Sequence, residues 1–164
     1  MALKRVLSDT LTLYKDTRFP YRSSGFRPFP HRAVIGIGGN VGDVYRRFHH
    51  LLVYFERDAR ISIVRTGPIL KNPPFGFTEQ DDFLNSVIEV ATPLGPQALL
   101  AFLLRTEKHF GRKRSFPNAP RTLDLDIIFY EKRVINKPNL VVPHPHWAER
   151  ESVVIPLTQM QRAV

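Results

Sequence analysis

The sequence predicts an α/β (α+β) protein in which an antiparallel sheet carries packed helices in the order βαββαβ, followed by a C-terminal hairpin and a short helix. Three observations lead to that plan. An apolar run from Ala33 to Gly38 passes through glycines into an amphipathic pattern, as a strand does before a helix. A second amphipathic stretch opens at Gly95-Pro96 and stops at Gly111, with proline at the first helical position and glycine past the end. From Arg121 to Tyr130 the pattern has period two, yet two of its polar positions are carboxylates, Asp124 and Asp126.

Composition bounds the rest. A chain of 164 residues without an internal repeat, 43% hydrophobic, is long enough to bury one substantial core. It has no cysteine, which excludes disulfide staples and thiolate metal sites. No apolar run approaches the ~20 residues of a membrane span and the start does not resemble a secretory signal, so a soluble, cytoplasmic protein is expected, with a monomer as the working state. The net charge of +9 favours an anionic partner. Its distribution is uneven: residues 1–32 hold seven Lys/Arg against Asp9 and Asp16, a net +5, and much of the remainder lies between Arg105 and Arg121.

In chain order, residues 1–32 form a basic N-terminal extension and residues 33–164 the main domain. The extension joins a short apolar start, Val6 to Leu13, to Arg-Phe-Pro-Tyr-Arg and Gly-Phe-Arg-Pro-Phe-Pro segments, which are turn and extended chemistry without a clear period. Its prolines break the amphipathic helix that an organelle transit peptide needs, so a tail packing its aromatics on the domain is expected. Ala33 to Gly38 reads as a central strand, and Asp43 is placed to cap a helix with Val44, Phe48, Leu51, Leu52 and Phe55 on one face. The intervening glycines match neither G-x-G-x-x-G nor a P-loop and read as a tight turn against which something packs.

A second strand, Arg60 to Thr66, leads into a rigid loop from Gly67 to Phe77. In the next strand, Asp82 to Val90, Leu84, Ile88 and Val90 share the core face, leaving Phe83 and Asn85 on the other. A ring beside an amide that both donates and accepts suits a flat nitrogen heterocycle. The helix after Pro96 buries Leu99, Phe102, Leu103 and Phe110. Glu107 falls in its last turn, where it either faces Lys108 or Arg112 or contacts a ligand.

In the strand that follows, Leu123, Leu125, Ile127 and Phe129 share one face, and Thr122, Asp124 and Asp126 the other. At about 3.3 Å per residue the two aspartates stand roughly 7 Å apart, within reach of one cation or a pair. Acids on the solvent face of an amphipathic strand are the plainer alternative. The loop Gly111 to Arg121 just upstream is rich in cations, and a cationic flap beside a cation-binding strand suits a polyphosphate held through metal. Lys132 to Pro138 resembles a hairpin. His144 and His146 lack a nearby third His or Cys for zinc, and His144 is more plausible as a donor to phosphate. Glu151 to Leu157 should close the fold as a short helix or turn.

Seven motifs in order then resemble one family. They are Gly38-Gly39-Asn40-x-Gly-Asp, Asn72-Pro73-Pro74-Phe75-Gly76, Asp82-Phe83-Leu84-Asn85, Gly111-Arg112-x-Arg114, Ala119-Pro120-Arg121-Thr122-Leu123-Asp124-Leu125-Asp126, Val142-Pro143-His144-Pro145, and Glu149-Arg150 followed by Pro156-Leu157. Together, over about residues 33–157, they resemble 6-hydroxymethyl-7,8-dihydropterin pyrophosphokinases of folate biosynthesis. The resemblance implies a ferredoxin-like domain that moves the β,γ-diphosphate of ATP to a reduced pterin and releases AMP. Asp124 and Asp126 would hold two Mg²⁺ ions, which prefer carboxylate and phosphate oxygens. Arg112 and Arg121 would grip the phosphates, with Arg114, His144 and Glu107 as further ATP contacts. Asn72, Pro73, Phe75, Phe83, Asn85 and Asp124 would receive the pterin. The implied partners are small molecules, with neither nucleic acid nor membrane.

The chain departs from the family pattern in three places. Ser152 stands where an aromatic ring is usual on the second face of the pterin, which leaves Trp147 as an alternative ring. The arginine-rich loop is about one residue shorter and has Asn118-Ala119 where an aromatic and a glycine are common. Residues 1–32 have no counterpart. A nucleic-acid-binding module of the same plan is the rival from another class, against which stand the Asp pair and the lack of an RNP-like run. A non-catalytic pterin- or ATP-binding relative is the other, and the intact acids and arginines oppose it.

Overall fold

The computed structural model describes residues 2–113 and 116–162, the last of these by its backbone only. Its strands are β1 (Leu3–Val6), β2 (Thr12–Lys15), β3 (Tyr21–Arg22), β4 (His31–Gly39), β5 (Ser62–Thr66), β6 (Ile69–Asn72), β7 (Phe83–Thr92) and β8 (Asp124–Tyr130), then a separate hairpin of β9 (Ile135–Lys137) and β10 (Leu140–Val142). The helices are α1 (Val44–Glu56), α2 (Pro96–His109) and α3 (Glu151–Arg162). Among the described residues the main sheet runs β1-β2-β6-β7-β4-β8, and β5 continues the line of β6 along the edge of β7 with β3 outside it. All pairings are antiparallel. The expected α/β plan, an antiparallel sheet with helices packed on it, is therefore present.

The caps form where the sequence placed them. Asp43 Oδ1 accepts the Arg46 N–H at 3.0 Å and starts α1. Pro96 opens α2, and beyond its end Gly111 takes a φ of +84° that a side chain would resist. Both helices lie on one face of the sheet: Phe48, Leu51, Leu52 and Phe55 of α1, with Leu99, Phe102 and Leu103 of α2, pack on Ile35, Ile37, Ile88, Val90, Leu125 and Ile127. Each of the fully buried rings and aliphatic chains contributes about 1.5–3 kcal/mol by leaving water. The other face has a smaller apolar cluster, Val87, Ile128, Val153 and Met160, made by α3.

Four expectations need correction. The stretch after Gly67 is not all loop: Ile69–Asn72 is a strand, because Pro68 and Pro73 bound a short apolar run that is buried between β2 and β7. The closing helix runs on to Arg162 through Pro156, whose missing N–H is outweighed by burial of Val153 and Met160. Phe129 does not share a face with Leu125 and Ile127. The β4–β8 register shifts between Val34 and Ile35, so Phe129 turns toward Trp147 at 4.9 Å, while Tyr130 enters the core and its OH donates to Leu94 O at 2.7 Å. Finally, the N-terminal segment has regular structure, three short strands joined to the sheet edge.

Candidate active site

The sheet face carrying α3 also carries the site, and alternation along three neighbouring strands builds it. In the ladder Gly38 stands opposite Asp124 on β8 and opposite Asn85 on β7, and Gly36 stands opposite Asp126 and Val87. Directly opposed residues point to the same face, so Asp124, Asp126 and Asn85 converge on a strand whose facing positions are glycine. A Cβ on Gly38 would lie 2.5 Å from Asn85 Oδ1, and one on Gly36 would lie 3.0 Å from Ile128 Cδ1. The cleft floor is therefore bare backbone.

The cleft is lined by Asn72, Phe75, Phe83, Asn85, Arg121, Asp124, Asp126 and His144 of the residues expected from sequence. Pro73 sits beside Phe75 on a neighbouring depression with Glu149 and Ser152. Arg112 lies next to the cleft and, with Arg121, lines the adjoining surface of the 116–121 loop. Arg114 lies outside the described residues.

On the aromatic and amide side, Asn85 Nδ2 donates to Asn72 Oδ1 at 2.6 Å, and Asn72 Nδ2 donates to Pro73 O at 3.0 Å. That chain fixes both amides and orients Asn85 Oδ1 as an acceptor. Phe83 is buried, with the Arg121 guanidinium 5.7 Å from its ring centroid. Phe75 is 58% exposed and carries the Arg150 guanidinium at 5.1 Å.

On the charged side, Arg112 NH1 donates to Asp124 Oδ1 at 2.6 Å and to Glu107 Oε2 at 2.8 Å, and Arg121 NH1 donates to Asp124 Oδ2 at 3.3 Å. Glu107, only 2% exposed, also accepts the Leu125 N–H at 2.7 Å. It faces Arg112, one of the expected partners, and fixes that arginine to the start of β8. Burial disfavours the charged form of Arg112, but Asp124 and Glu107 more than offset it and raise its pKa. Asp126 is the opposite case. Burial foremost, with Asp124 and Glu107, pushes its carboxyl up to about 7 against the opposing Arg112 and Arg121.

A divalent cation fits this arrangement. Two carboxylates on alternate positions of one strand face the same cleft, and among the described residues Arg112 and Arg121 do not offset the burial of Asp126 enough to keep it ionised in the usual range. Among the described residues no group of three or more His, Asp and Glu side chains forms a complete metal cage. Mg²⁺ does not require one, because it keeps water and phosphate oxygens as its remaining ligands.

His144 is half-buried. Burial and the Arg150 guanidinium push its pKa down, Asp124 opposes them, and His146 adds to the lowering. The His146 N–H points at His144 Nδ1 over a long 3.4 Å, which leaves Nε2 as the protonated nitrogen of the neutral ring.

The Gly39-Asn40 turn at the end of β4 sets the start of β8. Asn40 and Val41 donate their N–H groups to Arg121 O at 2.9 and 3.2 Å, and Asn40 Oδ1 accepts the Arg121 N–H at 2.8 Å. Arg47 NH1 donates to Thr122 O at 2.8 Å, and a Cβ on Gly39 would come within 2.7 Å of that oxygen. The turn with something packed on it is thus Gly39-Asn40, against residues 121–122. Gly36 and Gly38 instead belong to the strand and the cleft, a role that their alternate spacing in a central strand could have signalled.

Sequence reasoning also gave no role to Arg150, which lines the cleft, or to Val153 and Ser86. The Arg150 Nε is buried without a hydrogen-bond partner among the described residues. The Glu149-Arg150 motif marks the position in the sequence without indicating a role in the cleft. Ser152 lines the cleft, whereas Trp147, the alternative ring, packs on Phe129 and is absent from the lining.

A family model described as 7,8-dihydro-6-hydroxymethylpterin-pyrophosphokinase matches residues 34–162. A Campylobacter jejuni protein named 2-amino-4-hydroxy-6-hydroxymethyldihydropteridine pyrophosphokinase is 43% identical over 143 residues, 87% of this chain and 91% of the relative. That match is longer than the stretch 34–164, so it includes residues before it. A Helicobacter pylori protein of the same name is 38% identical over 135 residues, 81% of this chain and 83% of the relative. The folate synthesis bifunctional protein of Arabidopsis thaliana is 36% identical over 130 residues, 79% of this chain and 23% of that longer protein.

Proposed function

The chain belongs to the 7,8-dihydro-6-hydroxymethylpterin-pyrophosphokinase family, and from that premise we propose how its cleft divides the work of the family reaction. The enzyme is an ATP-dependent diphosphokinase. It transfers diphosphate from ATP to 6-hydroxymethyl-7,8-dihydropterin, giving the pterin diphosphate and AMP, in folate biosynthesis. The observation that carries the assignment of roles is the meeting, in one cleft, of an amide and aromatic side with an acid and arginine side.

The pterin edge is read by Asn85, held by Asn72, and its face rests on Phe83, with Phe75 and Pro73 at the rim. A fixed amide selects a heterocycle that offers donors and acceptors together, and it does so without losing much side-chain entropy on binding. The glycine floor lets the flat ring lie against backbone.

Asp124 and Asp126 would hold Mg²⁺, two ions in this reading, and the chemistry supplied there would be positive charge to offset what develops as AMP leaves. Arg112 and Arg121 occupy both oxygens of Asp124 in the structure. Phosphate oxygens of ATP would take over those guanidinium N–H groups and free the Asp124 carboxylate. Both arginines stay charged throughout and are positioned beforehand, Arg112 by Glu107 and Arg121 by Asn40. His144 donates its Nε2 proton to a phosphate oxygen. Positioning and electrostatics supply most of the barrier reduction in such a transfer, so no covalent enzyme intermediate is needed. The same reading takes the enzyme to work as a monomer on small molecules in the cytoplasm, where ATP is abundant.

Steady-state kinetics on two variants test the division. Asn85→Ala should raise the pterin KM about tenfold or more, with the ATP KM little changed. Arg112→Ala should lower kcat by about 10²-fold or more, with a small effect on pterin KM. Equal effects of both variants on both substrates would contradict the assignment.

A further inference from the structure

The segment before residue 34 lies outside the matched family model and has no part in the chemistry above. It nevertheless closes the outer edge of a strand that ends in the pterin site. β6 is four residues long, lies between Pro68 and Pro73, and meets β7 through only three pairs, Leu70↔Asn85, Lys71↔Leu84 and Asn72↔Phe83. A strand that short with a free outer edge is marginal in water. Here β2 occupies that edge, through Thr12↔Lys71, Leu13↔Leu70 and Tyr14↔Ile69. The registers place Leu13, Leu70, Asn85, Gly38 and Asp124 in one row on the cleft side of the sheet. Leu13 and Leu70 are 1% and 0% exposed.

β2 is itself tied down immediately after its last residue. Asp16 Oδ1 accepts the N–H groups of Arg18 at 2.7 Å and Phe19 at 2.8 Å. Its Oδ2 accepts the Tyr45 hydroxyl and lies 2.8 Å from His49 Nε2, so one carboxylate joins the segment to α1. Phe19 is fully buried against Phe48 and His49, and Thr66 Oγ1 donates to Arg18 O at 2.5 Å. These contacts connect a helix on the far face to the strand carrying Asn72.

We propose that residues 12–19 form an internal brace that fixes β6, and with it the Asn72–Asn85 amide pair, with Asp16 as its positioning residue. The brace governs recognition of the pterin and leaves ATP binding untouched. The inference rests on the assignment of Asn72 and Asn85 to the pterin.

Hydrogen exchange at the amides of residues 69–72 reads the brace directly, and kinetics read its consequence. Asp16→Ala and Leu13→Gly should speed that exchange about tenfold or more and raise the pterin KM about 5- to 20-fold, with kcat and ATP KM within about twofold. Asp16→Asn keeps an acceptor for the Arg18 and Phe19 N–H groups and should restore most of the effect. A chain lacking residues 2–7 removes β1 but keeps β2 and should behave as the full chain. If Asp16→Ala or Leu13→Gly does not fold, Tyr45→Phe makes the same comparison with a smaller change. Unaltered β6 exchange in folded variants, or pterin and ATP constants that shift together, would overturn the brace. Asn72→Ala separates the premise: an unchanged pterin KM there, with β6 exchange still dependent on Asp16, would remove the pterin assignment and leave the structural tie.

Discussion

In the proposed reading, Asp126 would couple proton and metal at a single carboxylate. Burial together with Asp124 and Glu107 raises its pKa to about 7, so at neutral pH Mg²⁺ bound there would displace a proton. The apparent Mg²⁺ affinity should therefore fall as pH drops through about 7, and calorimetry in buffers of different ionisation enthalpy should show proton release on binding. The same shift has a stability consequence. Because the folded state holds this proton more tightly than the unfolded chain, which releases it near 3.8, the Asp126 contribution to stability is lost as pH rises from about 4 to about 7. Asp126→Asn should flatten that part of the metal-free protein's Tm profile; an unchanged profile would mean that the carboxyl is not perturbed. Both aspartates and their common face follow from the period of the sequence alone. The environment of Asp126 does not, since it depends on Glu107, which comes from a different element.

At the scale of elements, β4 does two jobs through its glycines. Gly36 and Gly38 clear the cleft floor, and Gly39 lets the backbone of residues 121–122 approach. Gly39→Ala would bring a methyl group within 2.7 Å of Thr122 O and should cost about 1–3 kcal/mol of stability, read as a lower denaturant midpoint with an unchanged slope. Wild-type stability would show that the β8 entry can shift freely. Both long helices were legible because their caps and apolar stripes are local signals. The strand β6 was not, because prolines that bound a strand look the same as prolines in a loop. The displacement of Phe129 was also hidden, since a register shift is a property of the β4–β8 pair and leaves no mark on β8's own alternation. For α3, the tertiary burial of Met160 overrode the local stop signal of Pro156.

At the scale of the molecule, the basic charge first suggests a polyanion, but its distribution separates two roles. The arginines at 112 and 121 are paired with Asp124 in the cleft, while those of the N-terminal segment serve the fold: Arg27 donates to Asp58 O and Ile61 O, and Arg18 pairs with Glu56 at 2.9 Å. Most of the candidate site could be read in the sequence because strand alternation and ordered motifs place Asn85, Asp124 and Asp126 without tertiary information. Arg150 and the brace at Asp16 could not, since their meaning lies in partners distant along the chain. In the proposed mechanism the cleft transfers diphosphate through its Asp pair. The most direct test is AMP formation from ATP and Mg²⁺, with and without 6-hydroxymethyl-7,8-dihydropterin, for the wild type beside Asp124→Ala. AMP formation should depend on pterin and fall by about 10³-fold or more in the variant. AMP formed without pterin, or at an undiminished rate in a folded Asp124→Ala protein, would contradict that mechanism.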